Sequence, residues 1–465
     1  MAETKSNLSG GPDPQSTQAL YGLRPAVVRA VSAALETGDG VRVRRLIGPL
    51  HYSDVADLLE RLRPEARRRV IEVMGDEFEP EVLTELDEAV REEIVEQLSA
   101  KEVAAAVAEL DTDDAVELME DLDKQVRQQV LDEFPAEERA LLEEGLAYPD
   151  ESAGRLMQRE TVAVPSYWTV GETIDYMRET RDLPDDFYDI FIVDPGHRPV
   201  GTLALNRLLR TKRPVRVAEL MRQDIERIPI DADQEDVAIL FRQHDLVSAP
   251  VVDAGGRLVG MITVDDVVDV IDEEAEEDLM RLGGVPGDDL YRAAIATTQA
   301  RFSWLGVNLI TAIVASVVIG FFEATIDQIV ALAVLMPIVA SMGGNAGTQT
   351  MTVAVRALAM RELTESNALR FVGKELLVGS INGVLFAVLV AVVATLWFSD
   401  PRLGLVIGAA MITNLMVAGL AGTLIPLGLA RRGIDPAVAS GVLLTTVTDV
   451  VGFLAFLGLA ALVLL

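Results

Sequence analysis

Residues 403–429 read LGLVIGAAMITNLMVAGLAGTLIPLGL and include no charged side chain. A helix of about 20 apolar residues crosses the hydrocarbon core of a bilayer, so this stretch predicts a membrane-spanning helix. Comparable apolar stretches lie on both sides of it in the last third of the chain. We therefore predict five spans, near residues 302–322, 326–355, 371–398, 403–429 and 436–464.

The charges of the chain lie almost entirely before this apolar part. The formal net charge is −33, and residues 301–465 hold equal numbers of acidic and basic groups, so the first 300 residues carry all of it. This balance disfavours nucleic acid as a partner, because phosphates are bound by Lys and Arg. The lack of cysteine and the presence of only three histidines disfavour zinc and copper. Oxygen ligands for hard cations such as Mg²⁺ and Ca²⁺ remain.

The charges also predict an orientation in the membrane. The N-terminus lacks the apolar core of a signal peptide, so we expect the first part of the chain to stay in the cytoplasm. Five spans then place the C-terminus outside the plasma membrane. Basic residues follow the second and fourth spans, on the expected inner side: Arg356, Arg361, Arg370, Lys374, Arg431 and Arg432. The outer connections are mainly acidic, in agreement with the positive-inside rule: Glu323, Asp327 and Asp400, with Arg402.

The acidic part divides into three stretches. Residues 1–24 are polar and predict a disordered segment. From 25 to 150, apolar residues recur at steps of three and four in short segments, which predicts short helices stacked as a superhelix. Between 151 and 275 a strand-and-helix pattern occurs twice. The predicted fold class is multidomain: an all-α superhelical domain, an α/β tandem repeat, and an α-helical polytopic membrane domain with five spans.

Asp449 is the one acidic group that we place well inside an apolar helix, in the sequence LTTVTDVVG. A carboxylate at that depth costs at least a few kcal/mol, so ion binding is the preferred interpretation. The alternative is a buried carboxylate that bonds a neighbouring helix. In a symmetric oligomer Asp449 would recur around the axis and attract cations. Nearby hydroxyls offer further oxygens: Thr445, Thr446 and Thr448.

The second span contains Pro337 and then SMGGNAGTQT at 341–350. Its glycines permit either close helix packing or local unwinding that exposes carbonyl oxygens to a cation: Gly343, Gly344 and Gly347. Packing alone requires no amides, so the two amides beside the glycines favour an ion pathway: Asn345 and Gln349.

Taken in this order, these parts resemble the MgtE family of magnesium channels over residues 25–465. The tandem repeat is similar to a pair of CBS domains, which respond to nucleotides or ions. The resemblance implies a homodimer in the lipid bilayer, a pore between the subunits, a Mg²⁺ site at Asp449 and a contribution from Asn345 near the inner mouth. Two positions depart from the family pattern: Thr348 replaces a frequent Asn, and Val442 a frequent Pro.

An acidic run at 265–278, DDVVDVIDEEAEED, ends the second CBS-like repeat. On a helix its carboxylates share faces, which is destabilising unless a cation neutralises them. The alternative is a solvated surface. The resemblance implies that acidic groups of the repeat domain face this run, and that the segment after it forms a plug helix that closes the pore. It also implies a set of Mg²⁺-sensor ligands: Asp233, Glu235, Asp245, Asp266, Asp269, Glu274, Glu277 and Asp278.

The spacing of Gly260, Thr263 and Asp266 resembles an adenosine-ribose site of CBS domains, so ATP is a further candidate ligand. We predict a Mg²⁺-selective channel, not an enzyme, for potential-driven uptake that intracellular Mg²⁺ shuts off. One alternative is a Na⁺- or H⁺-coupled transporter or exporter with Asp449 as the proton carrier; another is a membrane-anchored sensor. The predicted domains are 1–24 (disordered), 25–150 (helical repeats), 151–275 (CBS pair), 276–301 (plug helix) and 302–465 (membrane pore).

Overall fold

A computed structural model describes residues 23–180, 183–184, 187–285, 294–364 and 366–465. The predicted disordered segment 1–24 lies almost wholly outside the described residues. The chain forms two compact units, Met1–Asp272 and Glu273–Leu465, each of which is described by itself.

The first unit begins with a stack of short helices, as the periodicity predicts. They are α1 (Pro25–Glu36), α2 (Gly40–Ile47), α3 (Tyr52–Glu60), α4 (Pro64–Met74), α5 (Glu88–Val95), α6 (Ala100–Val107), α7 (Thr112–Glu120), α8 (Lys124–Leu131) and α9 (Ala136–Gly145), with 3₁₀ turns at Gly75–Glu77 and Pro80–Val82. Side-chain caps start several of them, including a reciprocal capping box between Ser99 and Glu102. Their apolar faces form one continuous core from Leu23 to Leu142.

Arginines donate hydrogen bonds to backbone carbonyls inside this stack, at one helix end and in two connecting segments. Arg67 donates to the Leu59 carbonyl at 2.8 Å, Arg91 to the Leu86 carbonyl at 3.0 Å, and Arg127 to the Leu122 carbonyl at 3.2 Å. Leu59 lies in the last turn of α3, where carbonyls have no intrahelical partner and attract a positive charge, whereas Leu86 and Leu122 lie in the segments that connect helices. Two of these arginines, Arg67 and Arg91, also form ion pairs with carboxylates of the stack.

The second part of this unit contains two repeats of one motif. Strands β1 (Ala163–Pro165), β2 (Asp189–Val193) and β3 (Pro199–Ala204) form one sheet, and β4 (Ile228–Pro229), β5 (Ser248–Val252) and β6 (Leu258–Thr263) form the other. In each sheet the first pair of strands is parallel and the second antiparallel. The helices are α10 (Ala153–Leu156), α11 (Val170–Glu179), α12 (Leu205–Leu209) and α13 (Gln234–His244), with a 3₁₀ turn at Val217–Glu219. The predicted tandem repeat is confirmed.

Helix α14 (Val264–Gly283) follows β6 and contains the whole acidic run. It continues through the predicted domain boundary at 275/276. The prediction of one plug helix over 276–301 is wrong in its bounds, because α14 ends at Gly283 and Gly284 adopts a left-handed φ of +70° that other residues rarely adopt. Residues 286–293 lie outside the described residues, and the next helix starts at Ala294.

The second unit contains five helices that are long and apolar enough to span a membrane, as predicted. They are α15 (Ala294–Gly320), α17 (Ala331–Ala359), α18 (Ala368–Phe398), α19 (Pro401–Ala430) and α20 (Pro436–Val463). The second span was predicted to start at 326, but that position lies inside a separate short helix, α16 (Glu323–Gln328), and α17 begins at Ala331. The sequence of α16, EATIDQ, is too polar to belong to the span.

Helix α19, which contains the uncharged stretch 403–429, lies at the centre of this bundle and is its most buried helix. Small residues let it approach its neighbours closely. A Cβ added at Gly422 would lie 2.7 Å from the Gly347 carbonyl of α17, and one at Gly419 would lie 2.9 Å from the Glu375 carbonyl of α18. Close packing through small residues is typical of membrane helices, and it explains why this stretch contains no charge.

Candidate ion-binding sites

Asp449 lies in the middle of α20 with its side chain half-buried. Within the described residues, its carboxylate has no hydrogen-bond or ion-pair partner. The hydroxyls of Thr445, Thr446 and Thr448 donate to carbonyls of their own helix at 3.1, 2.7 and 3.1 Å. Their protons are therefore engaged and their oxygens keep a free lone pair. Thr448 is fully buried. Thr445 is exposed and lies four residues before Asp449, on the same side of the helix.

Helix α17 presents a polar stripe on its exposed side. Ser341, Asn345, Thr348 and Thr352 follow one another at helical steps and are all exposed, and Gln349 is exposed beside them. The Asn345 amide donates to the Ser341 hydroxyl at 3.3 Å. Lipid is an unfavourable environment for such a stripe, so it indicates a surface that faces water or another polar surface.

The glycines of α17 mainly serve packing. The helix is unbroken from Ala331 to Ala359 and includes Pro337, so the motif carbonyls stay in helical hydrogen bonds and are not exposed by unwinding. Added Cβ atoms would lie 2.2 Å from the Asn414 amide at Gly343 and 2.7 Å from Leu444 at Gly347. Gly344 has open space around it. Because Leu444 belongs to α20, the helices with the polar stripe and with Asp449 are neighbours.

Two buried polar residues of the membrane unit were missed by the sequence analysis. Asp449 is not the only carboxylate inside a spanning helix, because Glu375 of α18 is also buried. Thr350 of α17 donates to Glu375 at 3.2 Å, and Lys374 lies at the same distance from the other oxygen. Glu375 is therefore a carboxylate that bonds a neighbouring helix, the role that we considered as an alternative for Asp449. The second missed residue is Asn414, at the centre of α19.

A second group of carboxylates lies where the helical stack meets the CBS pair within the first unit. Asp113 is only 8% exposed. Burial raises its pKa well above the usual range, and the nearby Asp266 charge adds to the effect. Burial also raises the pKa of Asp114 to about 7, with Glu117 and Asp266 as further causes. The pKa of Asp266 rises to about 6, again mainly through burial, although hydrogen bonds from Thr263 oppose the shift.

Arginine neutralises only one side of this acidic interface. Arg91 contacts Glu117 at 3.0 Å and Asp121 at 2.7 Å. Within the described part of the chain, no Lys or Arg forms an ion pair with Asp113, Asp114 or Asp266. Asp113 is buried, Asp114 and Asp266 are half-buried, and none of them has a positive partner among these residues, an arrangement that a cation or protons would compensate.

The predicted sensor residues fall into three separate places. Asp266 and the exposed Asp269 lie at the acidic interface, where Asp269 interacts electrostatically with Glu85 of the helical stack. Asp233 and Asp245 cap opposite ends of α13, and Glu235 lies in its first turn. The others belong to the second unit: Glu274, Glu277 and Asp278.

In the second unit the end of α14 meets the start of α20. Arg281 forms ion pairs with Glu277 and with Asp435, the latter at 2.8 Å. Burial raises the pKa of Asp278, and the charges of Asp435 and Glu274 contribute. Asp435 also caps α20. The sequence analysis missed Asp435, because its proximity to the acidic run depends on a contact between residues more than 150 positions apart.

No group of three or more His, Cys, Asp or Glu side chains among the described residues has the geometry of a preformed metal site. Mg²⁺ keeps much of its water shell and often uses only one or two carboxylates, so a single chain can supply part of such a site. The predicted nucleotide residues also lie together: the Thr263 hydroxyl donates to Asp266 at 2.7 Å. Asp266 is thus a candidate ligand both for an ion and for a nucleotide.

Comparisons with known proteins define the class. Family models match a divalent cation transporter domain at residues 336–459, the MgtE intracellular N domain at 50–151 and a CBS domain at 217–273. This combination defines a multi-pass membrane transporter of divalent cations with CBS regulatory domains.

Individual relatives narrow the class further. The magnesium transporter MgtE of Thermus thermophilus is 34% identical over 441 residues, which cover 94% of this chain and 98% of that protein. The one from Enterococcus faecalis is 33% identical and covers 70% of this chain and 72% of its own length. A crystal structure of the cytosolic domain of the Mg²⁺ channel MgtE in complex with ATP covers 52% of this chain and 99% of that one, at 32% identity and a TM-score of 0.49. The chain belongs to the MgtE family of magnesium transporters.

The buried carboxylates predict a pH dependence of the acidic interface. The pKa of Asp114 is about 7 in the folded chain and about 4 when unfolded. The folded state therefore binds more protons between these values, and its stability falls as pH rises through this range. Without Mg²⁺, lowering the pH from 8 to 6 should stabilise α7 against opening by about 1 kcal/mol. Hydrogen exchange of the full-length protein, corrected for intrinsic rates, measures this.

The variant Asp113→Asn/Asp114→Asn provides the control, because it removes two of the titrating groups and should weaken the pH dependence. Equal pH dependence in the variant and the natural chain would show that these carboxylates do not govern the stability of the interface.

Proposed function

We propose that this chain is one subunit of a homodimeric Mg²⁺ channel that admits Mg²⁺ down the membrane potential and is closed by cytoplasmic Mg²⁺. The observation that carries the proposal is the carboxylate of Asp449, unpartnered among the described residues, on the helix that packs against α17 with its exposed polar stripe. The magnesium transporters to which the chain is similar supply the identity of the ion.

A second copy of the chain would cover these exposed polar groups. Two subunits related by a two-fold axis would cover both polar stripes and bring two Asp449 carboxylates to one axis. Their combined charge attracts a divalent cation, while Asn345 and the threonine oxygens replace part of its hydration or hold its water. Glu375 contributes nothing to such a site, since its oxygens already contact Thr350 and Lys374.

Transport through such a pore needs no pump. With the N-terminal unit in the cytoplasm and the C-terminus outside, the potential drives a divalent cation inward with about 4.6 kcal/mol at about 100 mV. A proton- or Na⁺-coupled mechanism would instead make transport depend on gradients of those ions.

The acidic interface supplies the gate. At low Mg²⁺ the charges of Asp113, Asp114 and Asp266 repel one another, and the helical stack separates from the CBS pair. Bound Mg²⁺ removes this repulsion and shifts the population toward the packed state by its greater affinity for that state. Helix α14 runs without interruption from β6 into the second unit and carries the change to the pore.

ATP is proposed as a second regulatory ligand of the CBS pair. Thr263 and Asp266 form a hydroxyl–carboxylate pair at the end of β6, which suits the hydroxyls of a ribose. The residues present therefore fit the sugar of a nucleotide.

Removal of the pore charge tests the transport half of the proposal. Asp449→Ala and Asp449→Asn should reduce potential-driven Mg²⁺ flux into liposomes at least tenfold, because the site loses its charge, while folding and dimerisation persist. Asp327→Asn, which neutralises an exposed acidic group of the same unit, should conduct normally. Ordinary flux through a folded Asp449→Asn protein would remove Asp449 from the mechanism.

Neutralisation of the interface tests the gating half. The variant Asp113→Asn/Asp114→Asn/Asp266→Asn/Asp269→Asn should conduct Mg²⁺ but lose most of its inhibition by Mg²⁺ on the cytoplasmic side, because both repulsion and ligands are gone. The control Glu137→Gln/Glu138→Gln removes two exposed carboxylates of α9 and should keep the natural inhibition curve. An unchanged inhibition curve in the first variant would remove the acidic interface from the gating mechanism.

A further inference from the structure

Asn414 is the polar residue at the centre of the membrane unit for which transport has so far required no role. It lies in the middle of α19 and is completely buried. The surrounding stretch 403–429 is otherwise almost wholly apolar. Burying an amide in such a place costs free energy unless its hydrogen bonds are made, so its presence requires a reason.

The amide of Asn414 contacts both helices that carry the proposed ion pathway. Its Nδ2 donates to the Val339 carbonyl of α17 at 2.8 Å, one turn before the glycine motif. Cβ atoms added at Gly343 and Gly452 would lie 2.2 and 2.8 Å from the same nitrogen. The carboxamide therefore rests directly against two glycine backbones, one in α17 and one in α20, three residues after Asp449.

The oxygen of the Asn414 side-chain amide is in an unusual environment for a buried polar atom. Asn414 Oδ1 is buried and has no hydrogen-bond partner among the residues that the structure describes. An unpaired buried acceptor destabilises a protein, so Asn414 is not optimised for stability. A leucine has nearly the same shape and would avoid this cost, while it would lose the hydrogen bond to Val339.

We propose that Asn414 is a positioning residue that sets the spacing and rotation of α17 against α20, and thereby the discrimination of Mg²⁺ from larger divalent cations. Asn414 does not line the pathway itself. Its single hydrogen bond fixes the position of α17, and its contact with Gly452 fixes the position of α20. The inference rests on the proposed function, since it assumes that Asn345 and Asp449 line one pathway. A site for a small cation needs fixed ligands, whereas a loosened one accepts larger ions.

The test compares Asn414→Leu with the natural chain in liposomes under a membrane potential alone. We expect a folded Asn414→Leu protein of at least natural thermal stability, with a ratio of Mg²⁺ to Ca²⁺ flux about fivefold lower, since one hydrogen bond is lost. The matched control is Asn308→Leu, because the Asn308 amide donates to Trp304 of its own helix at 3.3 Å. Its flux ratio should stay natural.

A second variant covers the case in which Asn414→Leu fails to fold. In Asn414→Ala/Gly343→Ala the new Cβ at 343 occupies the space that the amide leaves, and the same loss of discrimination is expected. A natural flux ratio in either folded variant would overturn the proposal and leave Asn414 as packing only.

The failure of the proposed function gives a different result. In that case the natural chain itself shows no potential-driven Mg²⁺ flux. The positioning role is then tested by the distance between two spin labels, attached at Val334→Cys in α17 and Leu454→Cys in α20. Only these two sites are labelled, because the natural chain has no cysteine. In samples diluted with unlabelled protein, Asn414→Leu should shift or broaden the distance distribution and Asn308→Leu should not. An unchanged distribution would overturn the proposal.

Discussion

Buried and half-buried carboxylates that lack a positive partner among the described residues are the constraint on which both units depend. The helical stack shows how such charges are normally compensated, because Arg67 and Arg91 each contact carboxylates as well as backbone carbonyls. Compensation stops at Asp113, Asp114 and Asp266, whose pKa values rise in response to burial. A structure of this kind is stable only when protons or cations supply the missing charge, which makes its packing depend on the ion concentration.

The same reasoning applies to the membrane unit. Two carboxylates lie in its spanning helices, and they differ in their surroundings. Glu375 is buried and bonded to Thr350, so its role is satisfied within one chain. Asp449 is half-buried, lacks a partner among the described residues, and lies on the helix beside the polar stripe of α17. An unsatisfied charge at a polar surface that lipid cannot solvate favours an ion pathway completed by a second copy of the chain.

Much of the architecture could be predicted from the sequence, because it depends on local patterns. Hydropathy is a property of consecutive residues, so the five spans were predicted correctly except where the polar segment EATIDQ forms a separate helix. The tandem repeat followed from its recurrence. The partners of the acidic run could not be predicted, since Asp113 and Asp266, or Arg281 and Asp435, meet only through tertiary packing. Asn414 was missed for the same reason: a lone amide in an apolar stretch gains meaning only from the glycines packed against it.

The central claim is that Mg²⁺ crosses the membrane alone, through a pathway that contains Asp449, and the reversal potential tests it most directly. With Mg²⁺ gradients imposed across a bilayer containing the reconstituted protein, the account predicts a shift of about 30 mV for each tenfold change in the gradient, the value for a doubly charged species. Added gradients of H⁺ or Na⁺ should leave this value unchanged. A reversal potential that moves with either of these ions would contradict the account and identify a coupled transporter.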